Sequence, residues 1–429
     1  MQIDHGVGEQ GIRRDFRLGV INGALFGLAE TLTDPALVLV AFVVALGGSP
    51  LLVGLAAPIR NAGWYLPQLL ISGRTQSAPR TLPIYARVAV LRLAGWGVIA
   101  VTPLLLGRLS PGAVLAVFLV AFFVAESAAG VAGLPFLEVV SKVIPPGRRG
   151  EFFGWRLTLA GAAGIVAGWL VHELLRDGGA VGLPLNYSAL FFLAFLAYVV
   201  AMTVFFSVGE PAKAHTVRGI ALSEQLRSAR GLWAHDSNLR RFLYMRLALI
   251  VTGAAVPFYT LYAQRELGLP VEEIGVYLTV YTGTSLVANL AIGRLTRRLG
   301  DRPIMRLSGW ASLFMSLVVI ALGVFAARAG VRWLNAGMIV VYALLGVREA
   351  GIGIAGMSML LELAGEKGRS LYLGLANSVM GLGLLASAAS GVLVELAGSL
   401  ALFVVAALAS AGALWFIERI RDPAIQEAA

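Results

Sequence analysis

Long runs without a charged residue are the feature that most constrains how this chain can fold. A helix needs about 20 residues to cross the ~30 Å of hydrocarbon in a bilayer, and charge-free runs of that length occur at 185–209, 274–293, 307–327 and 396–417. Only 14% of the 429 residues are charged, compared with about 25% in soluble globular proteins. The sequence therefore predicts an all-α, polytopic membrane protein.

Turn residues and charges divide the chain into twelve predicted spans. They lie approximately at 17–46, 50–72, 82–107, 112–142, 152–176, 186–208, 241–264, 272–293, 303–328, 332–361, 370–397 and 399–417. The longest polar segment leaves six spans on each side of it. We therefore expect an N-terminal six-helix bundle over 1–208, a cytoplasmic linker over 209–240 and a C-terminal six-helix bundle over 241–429.

The linker contains a short amphipathic pattern. Leu222, Leu226, Ala229 and Trp233 fall on one helical face, which is typical of a helix that lies on the inner leaflet. A covalent tether between the two bundles fits the same segment equally well, and the pattern does not separate the two interpretations.

The basic residues are distributed unevenly between the two sides of the predicted bundles. Of the 34 lysines and arginines, five lie at the loops and helix ends of one side: Arg108, Arg176, Arg265, Arg328 and Arg332. Most of the others, including Arg156, lie at the termini, the linker and the opposite loops. By the positive-inside rule, both termini lie in the cytoplasm. Membrane topology thus explains the formal net charge of +10, and we expect no nucleic-acid partner.

The two halves of the chain also repeat one another. At an offset of 220 residues, SGRTQSAPRTLPI (72–84) aligns with IGRLTRRLGDRPI (292–304), with matches at Gly73, Arg74, Pro83 and Ile84. The same offset aligns RGEFFG (149–154) with RSLYLG (369–374). Two matches at a single offset indicate duplication of a six-span unit, so we expect two pseudo-symmetric bundles.

The loop GRLTRRLGDRP (293–303) resembles the loop signature of the major facilitator superfamily, Gly-x-Leu-x-Asp-Arg-x-Gly-Arg-Arg. The matching positions are Gly293, Leu295, Arg298, Gly300 and Arg302. Arg297 stands where the family has its acid, and Asp301 stands where the family has an arginine. We expect Gly300 to allow a tight turn, Arg294 and its neighbours to face the anionic inner leaflet, and Asp301 to cap the next helix. The resemblance implies that this loop is part of a gate.

Two further segments are similar to a bacterial branch of the same superfamily, whose members have no assigned substrate. They are KVIPPGRRGEFFGWR (142–156) and GEP (209–211). The resemblance implies a monomeric protein of the bacterial cytoplasmic membrane in which spans 1, 4, 7 and 10 line a central cavity. The fifth span is rich in glycine, and we expect Gly154, Gly161, Gly164 and Gly168 to allow close helix packing.

Charged residues inside the predicted spans are the main candidates for function, because each one costs free energy in the bilayer. The acids are Glu30, Asp34, Glu126 and Glu349, and the bases are Arg60, Arg92 and Arg348. Glu30 and Asp34 are four residues apart, so we expect them on one face of span 1, where Pro35 kinks the helix. They either bind substrate and protons or form ion pairs that hold helices together, such as Asp34 with Arg60 or Glu126 with Arg92.

The remaining polar residues of the spans are weaker candidates. Arg348 and Glu349 are adjacent and point about 100° apart on a helix, and we favour Arg348 as the one that faces inward. Arg246 lies near the inner end of span 7, where we expect it to snorkel to the interface. Secondary candidates for substrate contact are Asn22, Tyr259, Tyr262, Tyr281, Asn289 and Asn377.

These features predict a secondary active transporter that moves a small organic solute by alternating access, coupled to protons through buried carboxylates. Three acids against one arginine expected in the cavity favour a cationic or neutral solute, as in drug or metabolite efflux. The alternative is a non-pumping membrane protein of the same fold, either a sensor or a lipid scramblase. With no cysteine and no histidine spacing typical of a metal site, we expect no metal, no cofactor and no enzymatic activity.

Overall fold

The computed structural model describes residues 9–56, 58–61, 63–64, 78–145, 148–176, 182–212, 230–326, 330–364 and 369–420. These residues are helical almost throughout, and they contain no β-strand. The predicted all-α fold is therefore confirmed. Gly73 and Arg74 of the predicted repeat, and Leu222, Leu226 and Ala229 of the predicted amphipathic helix, lie outside the described residues.

The chain groups into two units. Unit 1 consists of Met1–Asp34 and Ile59–Gly219, and unit 2 consists of Pro35–Pro58 and Ile220–Ala429. The segment 35–58 thus packs with helices from the C-terminal half of the chain. The boundary after Gly219 falls inside the predicted linker, and the duplication of a six-span unit stays a prediction.

The helices follow the predicted spans along the chain. From the N-terminal half come α1 (Glu9–Leu32), α2 (Val38–Ala45), α3 (50–64, with 57 and 62 outside the described residues), α4 (Leu82–Val101), α5 (Pro111–Val143), α6 (Arg149–Leu175) and α7 (Leu185–Phe206). The C-terminal half contributes α8 (230–235), α9 (Ser237–Gly253), α10 (Val256–Arg265), α11 (Glu273–Leu299), α12 (Asp301–Phe325), α13 (Val331–Ala364), α14 (Arg369–Ala386), α15 (Ala389–Ala397) and α16 (Ser399–Arg419).

Membrane-spanning length is a property of most of these helices. Among the described residues, 10 helical segments are long and apolar enough to cross a membrane, from Leu82–Leu105 to Ser399–Arg419. The two predicted spans that precede them correspond to α1 with α2 and to α3. The chain is therefore an integral membrane protein, and its described helices fit a fold with twelve membrane-spanning segments.

Predicted span 1 is broken rather than continuous. α1 ends at Leu32 and α2 begins at Val38. Pro35 has no backbone N–H, and it disfavours the helical conformation at Asp34, the residue before it. The kink expected at Pro35 is confirmed. The prediction that Glu30 and Asp34 share one helical face is wrong, because Asp34 lies in the break.

In unit 1, α1 packs closely against α6 through a stripe of glycines on α1. Gly19, Gly23 and Gly27 recur every four residues, which places them on one face. A Cβ atom at Gly27 would lie 2.5 Å from the Cβ atom of Ala160 and 2.6 Å from its Cα atom. The expectation that Gly154 of α6 allows close packing is wrong, since a Cβ atom there would meet nothing within 4 Å.

Glu210 of the GEP segment caps the beginning of α4. The backbone N–H groups of Thr81 and Leu82 donate to its carboxylate at 2.8 and 2.7 Å, and Lys142 Nζ donates at 2.6 Å. Burial acts to raise the pKa of Glu210, but the Lys142 ammonium and the hydrogen bonds at Thr81 and Leu82 outweigh it and hold that pKa below its usual value. The end of α7 is thereby tied to α4 and α5.

In unit 2, the loop at 293–303 forms a tight turn between α11 and α12. Gly300 has a φ of +79°, which confirms the expected role of this glycine. Gly300 itself occupies the N-cap position of α12, so Asp301 falls inside the first turn and makes no capping bond with its side chain. The prediction that Asp301 caps α12 is therefore wrong. Arg302 Nε donates to the carbonyl of Ile417 at 3.1 Å, which joins the loop to the end of α16.

The same polar contact occurs once in each unit, near the start of α1 in unit 1 and of α9 in unit 2. Arg14 Nη2 donates to the carbonyl of Ser207, just after α7, at 3.1 Å. Arg241 Nη1 donates to the carbonyl of Arg419, at the end of α16, at 2.8 Å. In both cases a basic side chain satisfies a carbonyl that a helix end leaves without an intrahelical partner.

The segment 35–58 is held in unit 2 by polar contacts with α10. Thr260 Oγ1 donates to the carbonyl of Ala36 at 2.8 Å, and it lies 2.7 Å from the hydroxyl of Tyr342 on α13. Arg265 Nη2 donates to the carbonyl of Gly48 at 2.6 Å. These bonds satisfy carbonyl groups around α2, which lies just beyond the break in span 1.

Candidate functional site

The first pair of charges in unit 1 lies near the end of α1. Arg60 Nη2 on α3 lies 3.7 Å from Glu30 Oε2, and the two side chains are 33% and 45% exposed. Asp34 adds a further negative charge that acts on Arg60. Arg60 therefore pairs with Glu30, and its partial exposure leaves the pair accessible.

Glu126 is the most deeply buried acid of the predicted set. It lies on α5 with 5% of its surface exposed, and α3 packs tightly there, since a Cβ atom at Gly63 would lie 2.8 Å from the Glu126 Cβ atom. Arg60 and Arg92 both act on its charge. In the part of the chain that the structure describes, neither arginine comes within 4.0 Å of the carboxylate to form an ion pair.

Arg92 lies in the interior of unit 1 between two aromatic rings. Its guanidinium carbon is 5.0 Å from the ring centre of Phe26 on α1 and 4.6 Å from that of Tyr198 on α7. The residue is 6% exposed, and its Nε has no hydrogen-bond partner among the described residues. Cation–π contacts of this kind offset part of the cost of burying the charge.

Arg156 is a half-buried cation that the sequence led us to place at a cytoplasmic helix end. Its side chain instead crosses α1, where a Cβ atom at Gly23 would lie 2.1 Å from the Arg156 Cγ atom. Arg156 Nη1 donates to the carbonyl of Gly19 at 2.9 Å and to Asn22 Oδ1 at 2.6 Å. The spacing of Gly19, Gly23 and Gly27 is the signal that could have shown a large side chain crossing this face.

Arg348 is the central charge of unit 2. It is 4% exposed on α13, and it donates to Ser312 Oγ at 2.9 Å and to the carbonyl of Leu249 at 2.5 Å. Its Nη1 also contacts Glu349 Oε1, although adjacent residues on a helix point apart. The long arginine side chain can bend back to its neighbour. Arg348 is thus the buried member of the pair, and Glu349 is partly exposed.

Arg246 on α9 contacts two other helices of unit 2. Its Nε lies 3.3 Å from Met380 Sδ on α14, and its Nη1 donates to the carbonyl of Ile352 on α13 at 3.4 Å. The side chain is half-buried and contacts both α13 and α14. The expected snorkelling to the interface stays a prediction.

The secondary candidates differ widely in burial. Asn22 is fully buried and donates to the carbonyl of Ala201 at 2.8 Å. Tyr259 and Tyr262 are buried with their rings 5.2 and 5.3 Å from that of Phe403. Tyr281 and Asn289 on α11 are half-buried, and Asn377 on α14 is exposed.

The residues of the loop motif lie at the end of α11 and the start of α12. Arg294 donates to the carbonyl of Leu290 in its own helix at 3.1 Å, and Arg298 is exposed. The backbone of Arg297 is helical, and its side chain lies outside the described residues. Gly293 has open space where a Cβ atom would be.

The site residues therefore divide between the two units. Unit 1 brings Glu30, Arg60, Glu126 and Arg92 onto neighbouring helices and adds Arg156, whereas unit 2 holds Arg348 with Glu349. Among the described residues, no group of three or more histidine, aspartate or glutamate side chains could hold a metal ion. The chemistry available in unit 1 is the binding of ions and the transfer of protons by carboxylates.

The chain is similar to known membrane transporters in part of its sequence and in its fold. The model of the Major Facilitator Superfamily matches residues 241–428, and no curated protein matches the chain. Among solved structures, a bacterial homologue of the iron transporter ferroportin in an inward-facing state has a TM-score of 0.67 and 14% identity, covering 95% of this chain and 99% of its own. A D-xylose–proton symporter has a TM-score of 0.67 and 14% identity, with coverages of 94% and 98%.

A POT family transporter in complex with 5-aminolevulinic acid has a TM-score of 0.69 and 11% identity, and the match covers 96% of this chain and 97% of that one. At such low identities these likenesses show the fold and leave the solute open. All three cover nearly the whole chain, so the shared fold includes both units.

Proposed function

We propose that the chain is a member of the major facilitator superfamily and a secondary transporter of a small organic solute. The fold over nearly the whole chain and the sequence of residues 241–428 support this proposal. Transporters of this superfamily move solutes by alternating access around a site near the bilayer midplane. The named structural neighbours include a D-xylose–proton symporter and a POT family transporter. The proposal places the protein in the bacterial cytoplasmic membrane as a monomer, with both termini in the cytoplasm.

The proposal includes coupling to protons, and the burial of Glu126 is the observation that carries it. A carboxylate that is 5% exposed is costly to keep ionised in a medium of low dielectric constant unless cations lie close by. Arg60 and Arg92 act on this charge without forming a close ion pair with it. A small movement of either arginine would therefore change whether the charged or the protonated carboxylate is the more stable form.

The ion pair of Glu30 with Arg60 is the part of this group of charges that can move. Their ion pair is long at 3.7 Å, and both side chains are partly exposed, so it can open at little cost. When Arg60 stays on Glu30, Glu126 depends on Arg92 and on protonation. When Arg60 turns towards Glu126, the proton is no longer needed. Asp34 lies in the break of span 1 and acts on the same arginine.

The charge count within unit 1 changes the expected class of solute. The acids Glu30, Asp34 and Glu126 are matched by the arginines Arg60, Arg92 and Arg156. The prediction of a cationic or neutral solute was based on three acids against one arginine. With three arginines beside these acids, the charge count no longer supports that prediction. Efflux of a drug or metabolite stays a prediction, to be tested by the orientation of the protein in vesicles.

Solute-driven proton movement tests the proposed function. Purified protein in liposomes that contain a pH-sensitive dye would be exposed in turn to sugars, organic anions and amphipathic cations. We expect at least one class to change the internal pH in a saturable way, compared with protein-free liposomes. No proton movement with any class would contradict the proposed coupling, and lipid flip-flop without it would point to the scramblase alternative.

A further inference from the structure

Two arginines of unit 1, Arg92 and Arg156, lie close to the same aromatic ring. The guanidinium carbons of Arg92 and Arg156 are 5.0 and 6.0 Å from the ring centre of Phe26. Neither forms an ion pair within 4.0 Å in the described part of the chain. Two positive charges in the interior of a membrane bundle are costly unless an anion offsets them.

Arg92 retains hydrogen-bonding capacity that the protein does not use. Its Nε is buried and has no partner among the described residues, and the whole residue is 6% exposed. The two ring faces beside it, from Phe26 and Tyr198, attract the cation but accept no strong hydrogen bond. An unmade hydrogen bond at a buried charged group is a substantial cost.

Arg156 is held in place by neutral oxygen atoms of the protein. One of its terminal nitrogens, Nη1, donates to Gly19 and Asn22, both of which supply neutral oxygens. Asn22 is in turn fixed by its own bond to Ala201. The guanidinium is thereby held in one orientation, and the charge of Glu30 acts on it without an ion pair within 4.0 Å in the described part of the chain.

We propose that Arg92 and Arg156 form a binding subsite for an anionic group of the transported solute, either a carboxylate or a phosphate. This inference rests on the proposed transport function and specifies the class of solute. A guanidinium offers five N–H donors in a planar fork that matches both kinds of anion. Arg60 is not part of the subsite, because it already pairs with Glu30.

Chemical protection of the unmodified protein tests the subsite directly. Phenylglyoxal modifies accessible arginines, and the modification of Arg156 can be followed by mass spectrometry of the full-length protein in detergent. We expect benzoate, succinate or inorganic phosphate at millimolar concentration to slow this modification at least threefold, and neutral benzamide to leave it unchanged. Equal protection by benzamide, or no protection by any of the three anions, would overturn the proposal.

Binding to variants supplies a second measurement. We expect Arg156→Gln and Arg92→Gln to weaken binding of the protecting anion at least tenfold, and Arg156→Lys to weaken it less because the charge remains. Arg176→Gln serves as the control, since Arg176 is half-exposed and pairs with Glu173 at a helix end. Unchanged affinity in both Gln variants would overturn the proposal, and the Lys variant provides the comparison if a Gln variant does not fold.

The binding experiments also separate this inference from the proposed function. They need no membrane and no gradient, so anion binding that survives a failure of proton coupling would support the subsite alone. Proton-coupled transport of sugars or cations, without any anion binding, would support the proposed function and contradict the subsite.

Discussion

At the residue scale, the buried charges of unit 1 differ in how far the protein itself offsets them. Glu30 has Arg60 as a partner, whereas Glu126 is influenced by two arginines that stand further away. The sequence located both acids, because a charge stands out in an apolar run. It could not predict the position of the Arg156 side chain. A basic residue in the second turn of a helix has the same sequence pattern whether its side chain turns to the membrane interface or crosses a glycine on a neighbouring helix.

Glu210 gives a prediction at the same scale. Its ionised form is stabilised in the folded protein, so its contribution is complete above the ordinary pKa of 4.5 and is lost as pH falls through the lower folded pKa. We expect Glu210→Gln to lower the free energy of unfolding by about 2 kcal/mol at pH 7. Thermal unfolding in detergent between pH 7 and pH 3.5 should show this difference shrinking as pH falls.

The matched control is Glu151→Gln. Glu151 is exposed and lies 3.5 Å from Arg148 in a surface pair, which is worth little. A difference between wild type and Glu210→Gln that stays constant with pH would contradict the role assigned to the ionised Glu210.

At the element scale, breaks and glycine stripes determine how the helices pack. The break in span 1 was predictable from Pro35, because proline disrupts a helix locally and the sequence alone shows where it lies. The breaks at 254–255 in span 7 and at 387–388 in span 11 were not predicted. Each of these breaks consists of small residues that are compatible with a helix, and Pro257 falls in the first turn of α10, where proline is tolerated.

The glycine stripe of α1 gives a prediction for this scale. A side chain at Gly27 would collide with the backbone of Ala160 on α6, so relief requires the two helices to separate. We expect Gly27→Val to destabilise the protein by about 1–3 kcal/mol. Thermal unfolding in detergent measures the change.

Gly154→Val is the control on the partner helix, because a Cβ atom there would meet nothing within 4 Å. Both substitutions place the same β-branched residue in a helix and differ only in what the new side chain meets. Equal destabilisation by the two substitutions would show that helix propensity, and not the contact between α1 and α6, causes the effect.

At the scale of the whole molecule, apolar composition determined the span count, and the described part of each of the twelve predicted spans is helical over most of its length. The thickness of the bilayer fixes the length of an apolar run that can span it, so such runs can be recognised in a sequence. Contacts between segments that are distant along the chain cannot be recognised from the sequence in this way. The packing of segment 35–58 with α10 depends on hydrogen bonds such as that from Thr260 to Ala36. Neither residue type indicates in the sequence which residue it contacts.

The predicted orientation can be tested because the chain contains no cysteine. Single cysteines at Leu109 and Arg230, two exposed positions, would be labelled in intact cells with a membrane-impermeant maleimide. The positive-inside distribution predicts labelling at position 109 and protection at position 230 until the membrane is permeabilised. The reverse pattern would place both termini outside.

The coupling role of Glu126 is the central claim, and one measurement tests it most directly. Proteoliposomes with wild type, Glu126→Gln or the surface control Glu173→Gln would be compared for solute-driven proton movement and for solute exchange without a gradient. We predict that Glu126→Gln reduces proton movement at least tenfold while exchange stays within about threefold of wild type, because the amide cannot carry the proton. Proton movement at the wild-type rate in Glu126→Gln would contradict the account.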